Sequence, residues 1–191
     1  MANSWRVVID IPEASQFSAY VGENENFRVT ENEAATSKVE AYWQKWWEAI
    51  PIANEKFVRQ FQEHIKSEGS RQQDLSTLET SFQNFGWFPP NFENLTDQPL
   101  LQALFLKHWP RFTQIADIEK MEMVRSSEKL LLKLNVAQLV QELTQNKGKK
   151  ESNAFNLRID FVRWPKEYSR QVSESHLVLS SFYLQFGSGR I

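Results

Sequence analysis

The chain has no cysteine, only 6 glycines in 191 residues and no excess of charge of either sign, and each shortage removes a class of chemistry. Without cysteine there is no disulfide, no thiolate metal ligand and no thiol nucleophile, an inventory that suits a reducing compartment. Only Gly187 and Gly189 lie close together. A P-loop or a dinucleotide fingerprint is therefore excluded, because each needs glycine where backbone approaches phosphate or takes a positive φ. Neither a Gly-x-Ser-x-Gly nucleophile elbow nor a His-Glu-x-x-His zinc helix occurs.

Lys and Arg number 22 against 24 Asp and Glu, a net charge of -2, so no global field draws the chain to phosphate backbones or anionic lipid. Neither nucleic acid nor membrane is expected as a partner. The longest apolar runs, such as Leu130 to Leu132, are far too short for about 30 Å of hydrocarbon. Met1 to Trp5 has neither the basic region nor the following apolar stretch of a signal peptide. These absences predict a soluble, cytoplasmic protein with no cofactor and no metal site. The 41% hydrophobic and 24% charged residues are ordinary for a globular chain, and the length suits a single domain over residues 1–191.

Hydrophobic periodicity places the elements. Trp5, Val7, Ile9 and Ile11 alternate with Arg6, Val8 and Asp10, which predicts a strand ended by Pro12, and Phe27 to Thr30 reads as a short second strand. Residues 31 to 109 read as mainly helical. One helix runs from Glu31 to Ile50 on Val39, Trp43, Trp46 and Ile50 and ends at Pro51; a second runs from Ala53 to Ser67 on Phe57, Phe61 and Ile65. A third covers Asp74 to Gly86, and a fourth has Pro99 in its first turn and ends at Pro110. Lys120 to Arg125 and Lys129 to Asn135 then read as a β-hairpin, followed by a short helix after Asn135 and a polar loop at residues 146–153. Phe155, Leu157, Ile159 and Phe161 alternate with Asn156, Arg158, Asp160 and Val162, the clearest strand in the chain. His176 to Gln185, apolar at both parities, predicts a strand covered on both faces, before a loose tail at 187–191. Strands at both ends of a helical middle predict an α+β domain with a mainly antiparallel sheet.

What the sequence has in abundance is aromatic: 13% of residues, with 7 Trp and 14 Phe. Tyr42, Trp43, Trp46 and Trp47 fall on consecutive turns of one helix, with Trp43 and Trp46 as its core face and Tyr42 or Trp47 left partly outside. Trp87, Phe88, Pro89, Pro90, Asn91 and Phe92 form a proline-stiffened segment, either pinned to the core by its rings or presenting them to a partner.

The three histidines lie far apart in sequence. His64 reads as solvent-facing, His108 as a cap for a helix C-terminus, and His176 as the end of a hydrogen-bond network opening a strand. Arg6 with Asp10, and Arg158 with Asp160, share strand parity and suit cross-strand ion pairs, a carboxylate acid–base pair being the other reading. Two functions follow as expectations. The first is a non-enzymatic interaction domain in which Tyr42, Trp47, Trp87, Phe88 and Phe92 meet a protein partner or a second copy. The alternative is a small-molecule-binding protein or enzyme with an aromatic-lined pocket between sheet and helices, using His176, Arg158 and Asp160 as polar contacts.

Overall fold

The computed structural model describes residues 4–29, 35–66, 89–133, 154–182 and 184. The chain divides into two compact units, Glu13–Ile115 and the pair of segments Met1–Pro12 and Ala116–Ile191. The expected helices at Asp74 to Gly86 and after Asn135, the polar loop at 146–153 and the tail at 187–191 lie outside the described residues.

The first unit is helical. Helix α1, Glu13–Asn24, was not foreseen: its residues from Phe17 to Gly22 are all buried, so Ser15, Ser18, Ala19 and Gly22 supply no polar face for the periodicity to register. It closes through Asn26 in the left-handed region at φ 55, with the N–H of Phe27 donating to the Gly22 carbonyl at 2.8 Å and that of Asn26 to Glu23 at 3.3 Å. Small polar Asn tolerates that conformation, and the paired bonds satisfy carbonyls the helix leaves open. The strand expected at Phe27 to Thr30 does not form over 27–29. Phe27 instead puts its ring against Trp43, with centroids 5.3 Å apart.

Helix α2, Lys38–Lys66, runs through Pro51, where the sequence predicts a break between two helices. An interior proline costs about 3 kcal/mol in a helix. Burial of Trp43, Trp46, Trp47 and Ile50 on one side of it and Asn54 on the other holds the turns together. The helix starts seven residues later than Glu31, because Ser37 caps it: Ser37 Oγ accepts the Glu40 N–H at 3.1 Å. Helix α3, Pro99–Lys133, likewise passes through Pro110 and takes up the residues expected to form a hairpin from Lys120 as far as Lys133, the last two of the expected hairpin lying outside the described residues. Met123 and Ser127, four residues apart and both buried, mark its inner face there. The core of the helical unit is aromatic. Phe17 is fully buried and meets Phe92, Phe105, Trp109 and Phe112 at centroid distances of 5.1 to 5.6 Å, and Trp43 Nε1 donates to the Ser18 carbonyl at 3.0 Å.

The second unit holds the sheet: β1 Ser4–Asp10, β2 Ala154–Val162, β3 Ser169–Ser173 and β4 His176–Ser180, in the order β1-β2-β4-β3. The expectation of a mainly antiparallel sheet is corrected. β1 pairs with β2 and β2 with β4 in parallel, and only β3 with β4 runs antiparallel. The physical reason is that β3 returns beside β2 at a distance of one strand, and β4, entering by the turn at Glu174 and Ser175, fills the gap in the direction of β2. Alternation determines which face a side chain takes and says nothing of a neighbour's direction.

One sheet face is apolar. Val7, Ile9, Leu157, Ile159, Phe161, Leu177 and Leu179 pack with Ile11, with Leu184 and with Met123 of α3. Arg163, just past β2, bonds Glu119 of the same helix. No helix among the described residues is long and apolar enough to cross a membrane.

Candidate functional site

The other face of the sheet carries charged side chains beside buried Val162 and Val178, and strand register assembles them. Asp10 stands beside Asp160 across β1 and β2, and Arg158 beside His176 across β2 and β4. Since 158 and 160 share parity, all four side chains fall on one face. Arg158 Nε donates to Asp160 Oδ1 at 2.6 Å and its terminal nitrogen to Asp10 Oδ2 at 2.7 Å, so one guanidinium bridges carboxylates on two strands. His176 Nε2 lies 2.9 Å from Asp160 Oδ2. Asp160 and His176 are each 1% exposed, whereas the Asp10 side chain is 48% exposed, so the network runs from the interior to solvent.

Each element of this arrangement has a reason. A buried carboxylate is costly to strip of water unless it is paired and hydrogen-bonded. Asp160 meets that requirement with one side chain on each oxygen. A histidine oriented by a carboxylate is also the supporting half of an acid–base pair. The structure thus brings together Arg158, Asp160 and His176, the three polar groups named from sequence, and adds Asp10, the parity partner of Arg6. Parity was the signal for Asp10; its pairing with Arg158 depended on β1 returning beside β2.

The remaining histidines separate from this group. His108, in the helical unit, does not cap a helix end: α3 continues past it, and its Nε2 lies 2.6 Å from Glu25 Oε1, which also accepts from Lys107 Nζ at 2.6 Å. Lys107 first, then His108, hold the Glu25 carboxyl below the ordinary glutamate range despite partial burial. The His64 side chain lies outside the described residues. A second buried carboxylate, Glu40, supports the start of α2. Burial alone would raise its pKa, but the Thr36 hydroxyl at 2.7 Å and the backbone N–H groups of Arg28 at 2.9 Å and Thr36 at 2.6 Å, aided by the Arg28 charge, bring it below the usual value. Among the described residues no group of three or more His, Asp or Glu side chains could hold a metal ion.

The aromatic candidates divide between core and margin. Trp47 is 5% exposed and stacks on Trp43 with centroids 5.7 Å apart, so of the two residues expected to leave one partly outside, Trp47 is sealed and Tyr42 is the one left at the margin. At 100° per residue, Trp43, Trp46, Trp47 and Ile50 fall at i, i+3, i+4 and i+7 and span an arc of about 100°, which one covered face holds. Phe92 is likewise sealed: its backbone is left-handed at φ 51, an uncommon state for a bulky residue, and its ring stacks on Phe17. Tyr42 is half-buried, with Lys38 Nζ 5.7 Å from its ring centroid. Trp87 and Phe88 lie outside the described residues.

Exposed large apolar side chains among the described residues are Val8, Ile52, Leu100 and Leu106 and, grouped within one stretch of α3, Ile118, Met121 and Val124, which are 58%, 55% and 38% exposed. Their three-residue spacing puts them on one side of the helix, opposite buried Met123 and Ser127. Reading this segment as a hairpin hid the stripe; the same residues taken at helical period would have shown apolar side chains on two opposed faces. No protein-family model, no curated protein and no solved structure matches the chain.

Proposed function

We propose that the chain is a non-enzymatic protein-interaction module whose contact surface is the outer face of α3 at Ile118, Met121 and Val124. The observation that carries this reading is their joint exposure on a helix whose inner face is already seated on the apolar side of the sheet through Met123. Scattered apolar side chains on a surface need no explanation, but a contiguous run on one helix face marks an interaction site. Covering such side chains contributes about 1.5–3 kcal/mol each when burial is complete. Aliphatic residues of α3 thus take the role that the sequence assigns to Trp47 and Phe92.

Methionine oxidation tests this reading. Hydroxyl-radical footprinting of the purified chain at high dilution is expected to oxidise Met121 readily and Met123 slowly. In intact cells Met121 is expected to be protected while Met123 is unchanged. Equal Met121 oxidation in dilute solution and in the cell overturns the reading.

A second reading, a small-molecule site or active site on the polar sheet face, is favoured by the convergence of Arg158, Asp160 and His176. It ranks below the first because each Asp160 oxygen already has a side-chain partner within the chain itself, and because Asp160 and His176 are sealed from solvent. Stability measurements on Asp160 separate a structural network from a functional one, as developed below.

A further inference from the structure

Resting on the interaction reading, we infer that the partner of the α3 face is a second copy of this chain, laid antiparallel across Met121. The inference comes from the symmetry of the charges around the stripe. At 100° per residue, Asp117, Ile118, Val124 and Arg125 lie about 40° and 60° to either side of Met121, within one arc of about 120°. All five residues are exposed. An antiparallel neighbour centred on Met121 sets each residue 121−n level with residue 121+n of the other copy. Ile118 is then level with Val124, Met121 with Met121, and Asp117 with Arg125.

A two-fold axis makes every such contact twice, so a single chain supplies both halves of two ion pairs. A parallel pair would instead set Asp117 against Asp117 and Arg125 against Arg125, placing like charges together at both ends. The five residues span eight rises, about 12 Å of helix. Three apolar side chains per copy over that length fall short of the ~1,200 Å² total of a standard stable interface, so the pair is a weak one that forms at high concentration.

Charge reversal on the full chain tests the arrangement by sedimentation at about 100 µM and low salt, where exposed charges are least screened. The wild type is expected to associate reversibly. Asp117→Arg and Arg125→Asp each set like charges at both ion-pair positions and are expected to weaken association at least about tenfold. An equimolar mixture of the two variants restores opposite charges at both positions and is expected to associate as a heterodimer, and the double variant D117R/R125D is expected to recover self-association. Circular dichroism of each variant checks the fold; all substituted positions are exposed.

Failure of both the mixture and the double variant to recover overturns the antiparallel pairing. If Met121→Glu abolishes association while neither charge reversal affects it, the face is an interface in another arrangement; this inference then falls and the interaction reading stands. A wild type that stays monomeric at all concentrations while Met121 is protected in cells overturns the second copy as partner in favour of a different protein. A monomer whose Met121 is equally oxidised in dilute solution and in cells overturns both.

Discussion

Asp160→Asn is the perturbation that most directly weighs the polar sheet face. The substitution keeps the shape of the side chain and removes its charge at a position 1% exposed. In the wild type Asp160 accepts from Arg158 at 2.6 Å and lies 2.9 Å from His176, while Arg158 retains Asp10 at 2.7 Å. Removing one partner of a buried ion pair costs about 3–5 kcal/mol, because it leaves the other charge poorly compensated. Asp10 still faces the guanidinium, and the amide keeps one acceptor, so the lower end, about 3 kcal/mol, is the expected loss. That is a large share of the roughly 5–15 kcal/mol by which domains are stable.

At a urea dependence of about 2 kcal/mol/M, the loss moves the unfolding midpoint down by about 1.5 M. Hydrogen exchange of the β2 and β4 amides localises the effect to the sheet. The control is Asp10→Asn: its side chain is 48% exposed, and an ion pair of that kind contributes about 0–1 kcal/mol. An Asp160→Asn variant as stable as wild type, or more stable, refutes the structural account. It would favour the second reading, in which the network is held at a cost to stability for the sake of a ligand.

Trp47→Ala is expected to cost about 3–5 kcal/mol in thermal or denaturant unfolding, as for a large ring removed from a packed core; a loss below about 1 kcal/mol would return Trp47 to the surface and reopen the aromatic contact. Acid should destabilise the helical unit. Glu25 and Glu40 both titrate below their ordinary value near 4.5 in the folded chain, so the stability they add is complete above that pH and is lost as the pH falls through the lowered folded values. Glu40→Gln should be less stable than wild type at neutral pH and show a shallower loss in acid; melting curves across the acid range with the same slope for both proteins would contradict this.

Much of the local structure was legible. Alternation in Trp5 to Ile11 and in Phe155 to Val162 identified β1 and β2, and the shared parity of Arg158 with Asp160 placed both on one face. The Ser37-x-x-Glu40 spacing at the start of α2 went unread, and the apolar period alone pulled the predicted start to Glu31. Pro51 and Pro110 misled because proline's cost is local, whereas burial of Trp43, Trp46, Trp47 and Ile50, and of Phe105 and Phe112, is collective and exceeds it. Helix α1 escaped detection because a segment buried nearly all round has no polar face to reveal its period.

From its sequence alone this chain is a cysteine-free, glycine-poor α and β protein without the motifs of nucleotide or zinc chemistry, since those properties depend only on which residues are present and how they are spaced. Strand direction, the joining of Asp10, Arg158, Asp160 and His176, the burial of Trp47 and Phe92, and the exposure of Ile118, Met121 and Val124 were decided by tertiary structure. Each depends on which distant segments meet, and spacing along a single chain carries no term for that.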